Sequence, residues 1–234
     1  MTARERVAIV FSGGPAPAAN AVIGTVASVF RRNGYDVIGL LHGYSGVVNF
    51  DGDPASLVAG RDYREIVDAD LRGLRNARGV FLGTARVNPG REIRTFEDLR
   101  DGSRAAALRR VHGALVSLRV KALISIGGDG TLITANLLYA YQQTLPVAAP
   151  RVRVVHVPKT IDNDYGGIDF TFGFFTAVDE MACQLRNLRA DAVATGSYYV
   201  VSTMGRRAGW LAYGVAVAGE AHLVVGVEDV EGPL

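Results

Sequence analysis

The chain has 234 residues, 49% of them hydrophobic, enough to bury a sizeable core in one large domain or two small ones. Its 25 basic and 23 acidic residues leave a net charge of +2, so nothing in the charge points to nucleic acid or an anionic membrane as the main partner. The single cysteine, Cys183, excludes an internal disulfide framework and fits a reducing compartment. It falls in an expected helix, where a buried structural thiol is expected. Met1 to Arg6 runs straight into an apolar strand pattern without the layout of a signal peptide, and no apolar run is long enough for a membrane span. The expectation is a soluble, cytoplasmic protein.

In chain order the pattern predicts a strand over Val7–Phe11, a helix over Ala18–Arg32 with apolar positions at Val22, Ile23, Val26, Val29 and Phe30, and a strand over Asp36–Leu41. A short strand is expected at Val80–Leu82. A helix over Arg104–Leu118 then leads into a strand over Ala122–Ile126, and a helix over Leu132–Tyr141 into a strand over Val152–Val157. The remainder reads as a helix over Phe172–Leu188, a strand over Tyr198–Thr203, a helix over Ala208–Gly219 and a strand over Ala221–Val227. Alternation of this kind predicts an α/β fold, a doubly wound and mostly parallel sheet in three αβα layers. The charged segment Asn88–Gly102 interrupts the alternation and reads as a solvated loop.

Three loops at strand ends carry the chemistry, at the edge where open α/β sheets bind ligands. Ser12-Gly13-Gly14-Pro15-Ala16-Pro17 closes the first strand and opens the first helix, so backbone N–H groups and the helix dipole face an anion there. Gly127-Gly128-Asp129-Gly130-Thr131 clears space for a polyphosphate and offers Asp129 to Mg²⁺. Pro158-Lys159-Thr160-Ile161-Asp162-Asn163-Asp164 carries two carboxylates, a hydroxyl and a cation, which suits the movement of a proton and a phosphoryl group.

From Val7 to about Val227 the chain resembles the phosphofructokinase family. The landmarks occur in order: Ser12-Gly13-Gly14, Gly43-Tyr44, Leu82-Gly83-Thr84-Ala85-Arg86, the GGDGT loop, PKTIDND, Gly173-Phe174-Phe175-Thr176-Ala177 and Met204-Gly205-Arg206. The resemblance implies a phosphoryl-donor domain over 1–157 and the beginning of a sugar-phosphate domain over 158–234, incomplete because the family continues well past Leu234. It implies phosphorylation of fructose 6-phosphate at C1. Asp162 is the expected base and Asp164 the second acidic group. Thr160 is expected on the transferred group or the sugar, and Arg86 on the donor phosphates. Gly13, Gly14, Arg86, Val87, Gly128, Asp129, Gly130 and Thr131 are the expected donor contacts, with Mg²⁺ on Asp129. Thr160, Ile161, Asp162, Met204, Gly205 and Arg206 are the expected acceptor contacts. The full-length form is expected to be a dimer or tetramer, with no nucleic acid or membrane partner.

In this family Asp after GGD and Lys before TIDND go with pyrophosphate, and Gly at both positions with ATP in the bacterial allosteric group. Gly130 and Lys159 are one of each. A side chain at position 130 would occupy the space of the α-phosphate, so ATP is the expected donor and pyrophosphate the alternative. Ala18-Ala19-Asn20 replaces the more usual Pro-Gly-x-Asn ending of the first loop, and an alanine in place of that glycine restricts the turn wherever φ must be positive. Ser197 stands where many bacterial relatives carry an arginine. A nucleotide-binding fragment without turnover is the third reading, because the later residues of the acceptor pocket have no counterpart in this sequence.

Overall fold

A computed structural model describes residues 4–205 and 207–231. The chain divides into two compact units, one holding the chain up to Pro15 together with Ala19–Pro158, the other holding Ala16–Ala18 and the chain from Lys159 onward.

The first unit is built on β1 (Arg6–Phe11), α1 (Ala19–Arg32), β2 (Asp36–Leu40), β3 (Tyr63–Glu65), α2 (Asp68–Leu71), α3 (Ala106–Ser117), β4 (Val120–Gly127), α4 (Asp129–Gln143) and β5 (Arg153–Pro158). The five strands form one sheet in the order β3-β2-β1-β4-β5. Pairings β1–β2, β1–β4 and β4–β5 are parallel, and β3 closes the β2 edge antiparallel. The β-branched runs of β1 and β4 suit a doubly covered sheet. Ala8 and Val10 of β1, Ile38 and Leu40 of β2 and Leu123 of β4 join one core cluster with Leu108, Val111 and Leu115 of α3 and Leu138 of α4. The alternate β1 residues Val7, Ile9 and Phe11 are equally buried. Each large side chain so enclosed contributes roughly 1.5–3 kcal/mol. Helix α1 buries Ala19, Ile23 and Ala27, a four-residue repeat on one face, and ends in Arg31 and Arg32, cations that suit a helix C-terminus. Arg31 is held by Asp68 at 2.7 Å.

The second unit contains α5 (Phe174–Thr195) and α6 (Trp210–Gly219). Phe174 and Ala177 of α5 and Leu211 and Val215 of α6 form its core, with Val178, Met181 and Leu185 packed against it.

Several expectations require correction. Tyr198–Thr203 and Ala221–Val227 are not strands. A strand needs a neighbour for its N–H and C=O groups, and the described residues of the second unit form no sheet. Tyr198, Val200 and Leu223 are accordingly 98, 100 and 82% exposed. Val80–Leu82 is a turn, tied to the start of α1 where the Phe81 N–H donates to Asn20 Oδ1 at 2.7 Å. Cys183 is exposed, because α5 turns Phe174, Ala177, Met181 and Leu185 toward α6 and Cys183 lies off that face. Helix α4 begins three residues earlier than its apolar pattern, at Asp129. Asn88–Gly102 is largely exposed, as a solvated loop should be, and is ordered locally where Asp98 accepts from the Arg94 and Thr95 N–H groups and pairs with Arg104. Among the described residues no helix is long and apolar enough to cross a membrane.

Candidate active site

In the first unit four loops converge at the C-terminal ends of β1, β2 and β4. The Ser12 N–H donates to Ile126 O and the Gly13 N–H to Ala85 O, both at 3.0 Å. Ser12 Oγ donates to Ala85 O at 3.1 Å, and Thr84 Oγ1 donates to Gly13 O at 2.6 Å. Thr131 Oγ1 reaches Ser12 O at 3.4 Å from the first turn of α4. The Ser12–Gly14, Leu82–Arg86 and Gly127–Thr131 segments are thereby laced together through backbone and hydroxyl groups. Gly43 lies against them, where an added Cβ would come 3.3 Å from Ser12 Oγ. At Gly127 an added Cβ would meet Ser12 O at 2.7 Å, so only glycine lets β4 turn into α4 this close to β1.

Gly128 caps α4, and Asp129 and Gly130 open its first turn, both exposed. The N–H groups of that turn and the helix dipole favour an anion. Around Gly130 a Cβ would meet nothing within 4 Å, so a side chain there would project into open space. Asp129 makes no ion pair among the described residues, where no group of three or more His, Cys, Asp or Glu side chains is gathered. A single carboxylate at a helix N-terminus that favours an anion fits Mg²⁺, which keeps few protein ligands and takes the rest from phosphates and water. Arg86 is exposed and in no salt bridge among the described residues. Val87 packs its side chain against the core cluster.

In the second unit Lys159–Asp164 is clasped by the segment that leads into α5. Lys159 bridges Phe172. Thr171 Oγ1 donates to Thr160 O at 2.5 Å, and the Thr171 N–H donates to Asn163 Oδ1 at 2.8 Å. Asn163 adopts φ 55°, a left-handed conformation that asparagine tolerates better than most residues. The Asp162 N–H donates to Thr160 Oγ1 at 3.0 Å, so the Thr160 hydroxyl fixes the loop while keeping its own proton to donate. Ile161 packs on the helical core. Asp162 Oδ1 is buried and has no hydrogen-bond partner among the described residues. Burial, and then the charge of Asp164, push the Asp162 carboxyl above its ordinary range, and Lys159 pulls it back. Such a carboxylate is a stronger proton acceptor than a free one. Met204 is exposed and Gly205 has φ 135°. Arg206 lies outside the described residues.

The motifs mark the loops but not the side chains that fasten them. Thr84, Asn163 and Thr171 hold them in shape, and an asparagine flanked by two aspartates was the available signal for a left-handed turn.

A family profile described as Phosphofructokinase matches residues 6–231. An ATP-dependent 6-phosphofructokinase of Spirochaeta thermophila is 36% identical over 220 residues, 93% of this chain and 54% of that protein. A pyrophosphate–fructose 6-phosphate 1-phosphotransferase of Streptomyces coelicolor is 35% identical over 221 residues, 94% of this chain and 56% of that protein. The chain thus spans about half the length of the curated relatives it matches. Among solved structures, the Pichia pastoris phosphofructokinase in the T-state aligns with a TM-score of 0.72 at 26% identity, over 94% of this chain and 22% of that one. A Marinobacter aquaeolei pyrophosphate-dependent phosphofructokinase shares the fold, with a TM-score of 0.70 at 21% identity over 96% of this chain and 53% of that one.

Proposed function

The chain belongs to the phosphofructokinase family, and from that premise we propose that it carries the donor loops and the catalytic base of an ATP-dependent 6-phosphofructokinase. The observation that carries this reading is Asp162: a carboxylate with one buried, unpartnered oxygen, held by its own loop and made more basic by burial and by Asp164.

In the proposed reaction Asp162 takes the proton of the C1 hydroxyl of fructose 6-phosphate. The C1 oxygen bonds to the γ-phosphorus of ATP as the bond to the β–γ bridging oxygen breaks, and ADP leaves. Thr160 holds the Asp162 backbone and offers its own proton to an oxygen of the transferred group. The N–H groups at the start of α4, with Arg86, hold the donor phosphates, and Gly13 and Gly14, lacking side chains, leave room for them. Mg²⁺, when bound through Asp129 and the phosphates, neutralises donor charge. Ile161, Met204, Gly205 and Arg206 are assigned to the acceptor side on the motif alone.

Gly130 favours ATP, since the open space beside it accommodates an α-phosphate. Pyrophosphate is the second reading, supported by Lys159 and by relatives such as the Streptomyces coelicolor enzyme. A coupled assay of fructose 1,6-bisphosphate formation, run with Mg²⁺ and either ATP or pyrophosphate, tests both. Turnover with ATP is expected, and Gly130→Asp should abolish it. Turnover with pyrophosphate alone, or ATP turnover that survives Gly130→Asp, overturns the donor assignment. A folded chain that binds Mg-ATP without turnover would be a donor-binding fragment.

A further inference from the structure

Two polar side chains of the first unit, Tyr44 and Ser125, are enclosed, His156 beside them is half-buried, and none of the three has a part in the chemistry above. Tyr44 is 1% exposed, and its hydroxyl, which has Ser125 as its polar neighbour, makes no hydrogen bond of normal geometry among the described residues. Burial pushes its phenol up to about 12, with the neighbouring Ser125 hydroxyl opposing. Ser125 is fully buried in β4, in register with His156 of β5, whose Nδ1 lies 3.4 Å from Ser125 Oγ. The second ring nitrogen of His156, Nε2, is buried and unpartnered among the described residues. Burial lowers the imidazole pKa, with the Gly127 backbone opposing.

Hydroxyl and imidazole groups enclosed in this way cost stability unless they are hydrogen-bonded, and apolar residues would fill the same space without that cost. Orphaned groups in a folded core therefore need a reason. Their placement supplies one. Tyr44 follows Gly43, which abuts Ser12. Ser125 stands two residues before Gly127, and His156 two before Pro158. The three residues thus stand within two positions of the loops that follow β2, β4 and β5.

We propose that Tyr44, Ser125 and His156, joined by one enclosed water, form a hydrogen-bonded brace that positions the Gly127–Thr131 loop and the strand end leading to Asp162. The brace rests on the reading of those loops as the phosphoryl-transfer site. Its members are positioning residues: they act through the loops, where a displacement of about 1 Å costs on the order of 10²-fold in rate.

The test is ¹⁵N NMR of the whole labelled chain, with kinetics alongside. Both His156 ring nitrogens should resonate as hydrogen-bonded. Tyr44→Phe, which deletes only the hydroxyl, should move the Nε2 signal and the amide signals of Gly128, Gly130 and Lys159. It should also lower kcat by about ten- to a hundredfold with KM for ATP unchanged. His156→Leu should do the same, and His156→Asn, which keeps a donor near the Nδ1 position, should restore part of the rate. An Nε2 resonance typical of an unbonded nitrogen, unmoved by Tyr44→Phe, overturns the brace. So does a Tyr44→Phe or Ser125→Ala chain with higher Tm and undisturbed loop amides, since the polar groups would then be a stability cost only. If the unaltered chain has no turnover, the catalytic reading fails and the ring and amide signals alone decide the brace.

Discussion

As the proposed base, Asp162 would set function against stability. Burial and the charge of Asp164 raise its pKa in the folded chain above the ordinary 3.8, so the folded state holds the proton more tightly than the unfolded state. Stability from this group is present below 3.8 and is lost as pH rises through the raised value, above which the cost is complete. Asp162→Asn should therefore keep or raise the Tm at pH 7, measured by thermal melting, while kcat falls by about 10²–10⁴-fold and ATP binding by calorimetry stays unchanged. Unaltered turnover would remove Asp162 from the mechanism. Asp164→Asn removes the neighbouring like charge, so the acid limb of the pH–kcat profile should move to lower pH. A limb that stays in place would mean that burial alone sets the basicity of Asp162. At Ala18 the chain has φ 63°, the left-handed conformation that costs an L-residue roughly 1–2 kcal/mol and glycine almost nothing. Ala18→Gly, offset by the greater chain entropy of glycine, should raise the Tm by about 1–3 °C.

At the scale of elements, the two helices of the second unit approach closely because α6 carries small residues on its packed face. An added Cβ at Gly219 would meet Leu185 Cδ2 at 2.7 Å and both Cβ and Cγ at 3.0 Å. Glycine to alanine in a helix normally stabilises by close to 1 kcal/mol. Here the steric term reverses the sign, and Gly219→Ala should destabilise by about 1–3 kcal/mol in denaturant melts. A stabilised variant would mean that Leu185 can move aside freely. The beginning of α4 has the same logic in the opposite direction. Its apolar pattern opens at Leu132, yet the helix starts at Asp129, because Gly128 caps it and the loop is drawn against Ser12. The Gly127–Thr131 loop is thus partly a helix terminus, the kind of end that favours an anion.

For the whole molecule, the second unit leaves large apolar side chains in solvent, among them Val193, Val200, Val217 and Leu223, each at least 79% exposed. Scattered exposed residues are ordinary, but this number in one small unit is an association liability. The isolated chain should bind 1-anilinonaphthalene-8-sulfonate and show self-association by light scattering, both reduced by a Val200→Lys, Leu223→Lys double variant. Weak dye binding and a strictly monomeric chain would mean that these segments find cover within the chain itself.

The motifs Ser12-Gly13-Gly14, Gly127–Thr131 and Pro158–Asp164, set at the ends of β-branched runs, were enough to establish the α/β class, the parallel sheet and the family, because each is a local consequence of strand-to-helix turns that few residues permit. Tertiary structure alone decided which apolar runs became strands. Val152–Val157 found β4 and paired, while Tyr198–Thr203, equally apolar, found no ladder, since a strand exists only where another backbone supplies its hydrogen bonds. The same holds for Cys183, exposed because α5 has one partner face, and for Asp162, whose basicity comes from what surrounds it rather than from the residue itself.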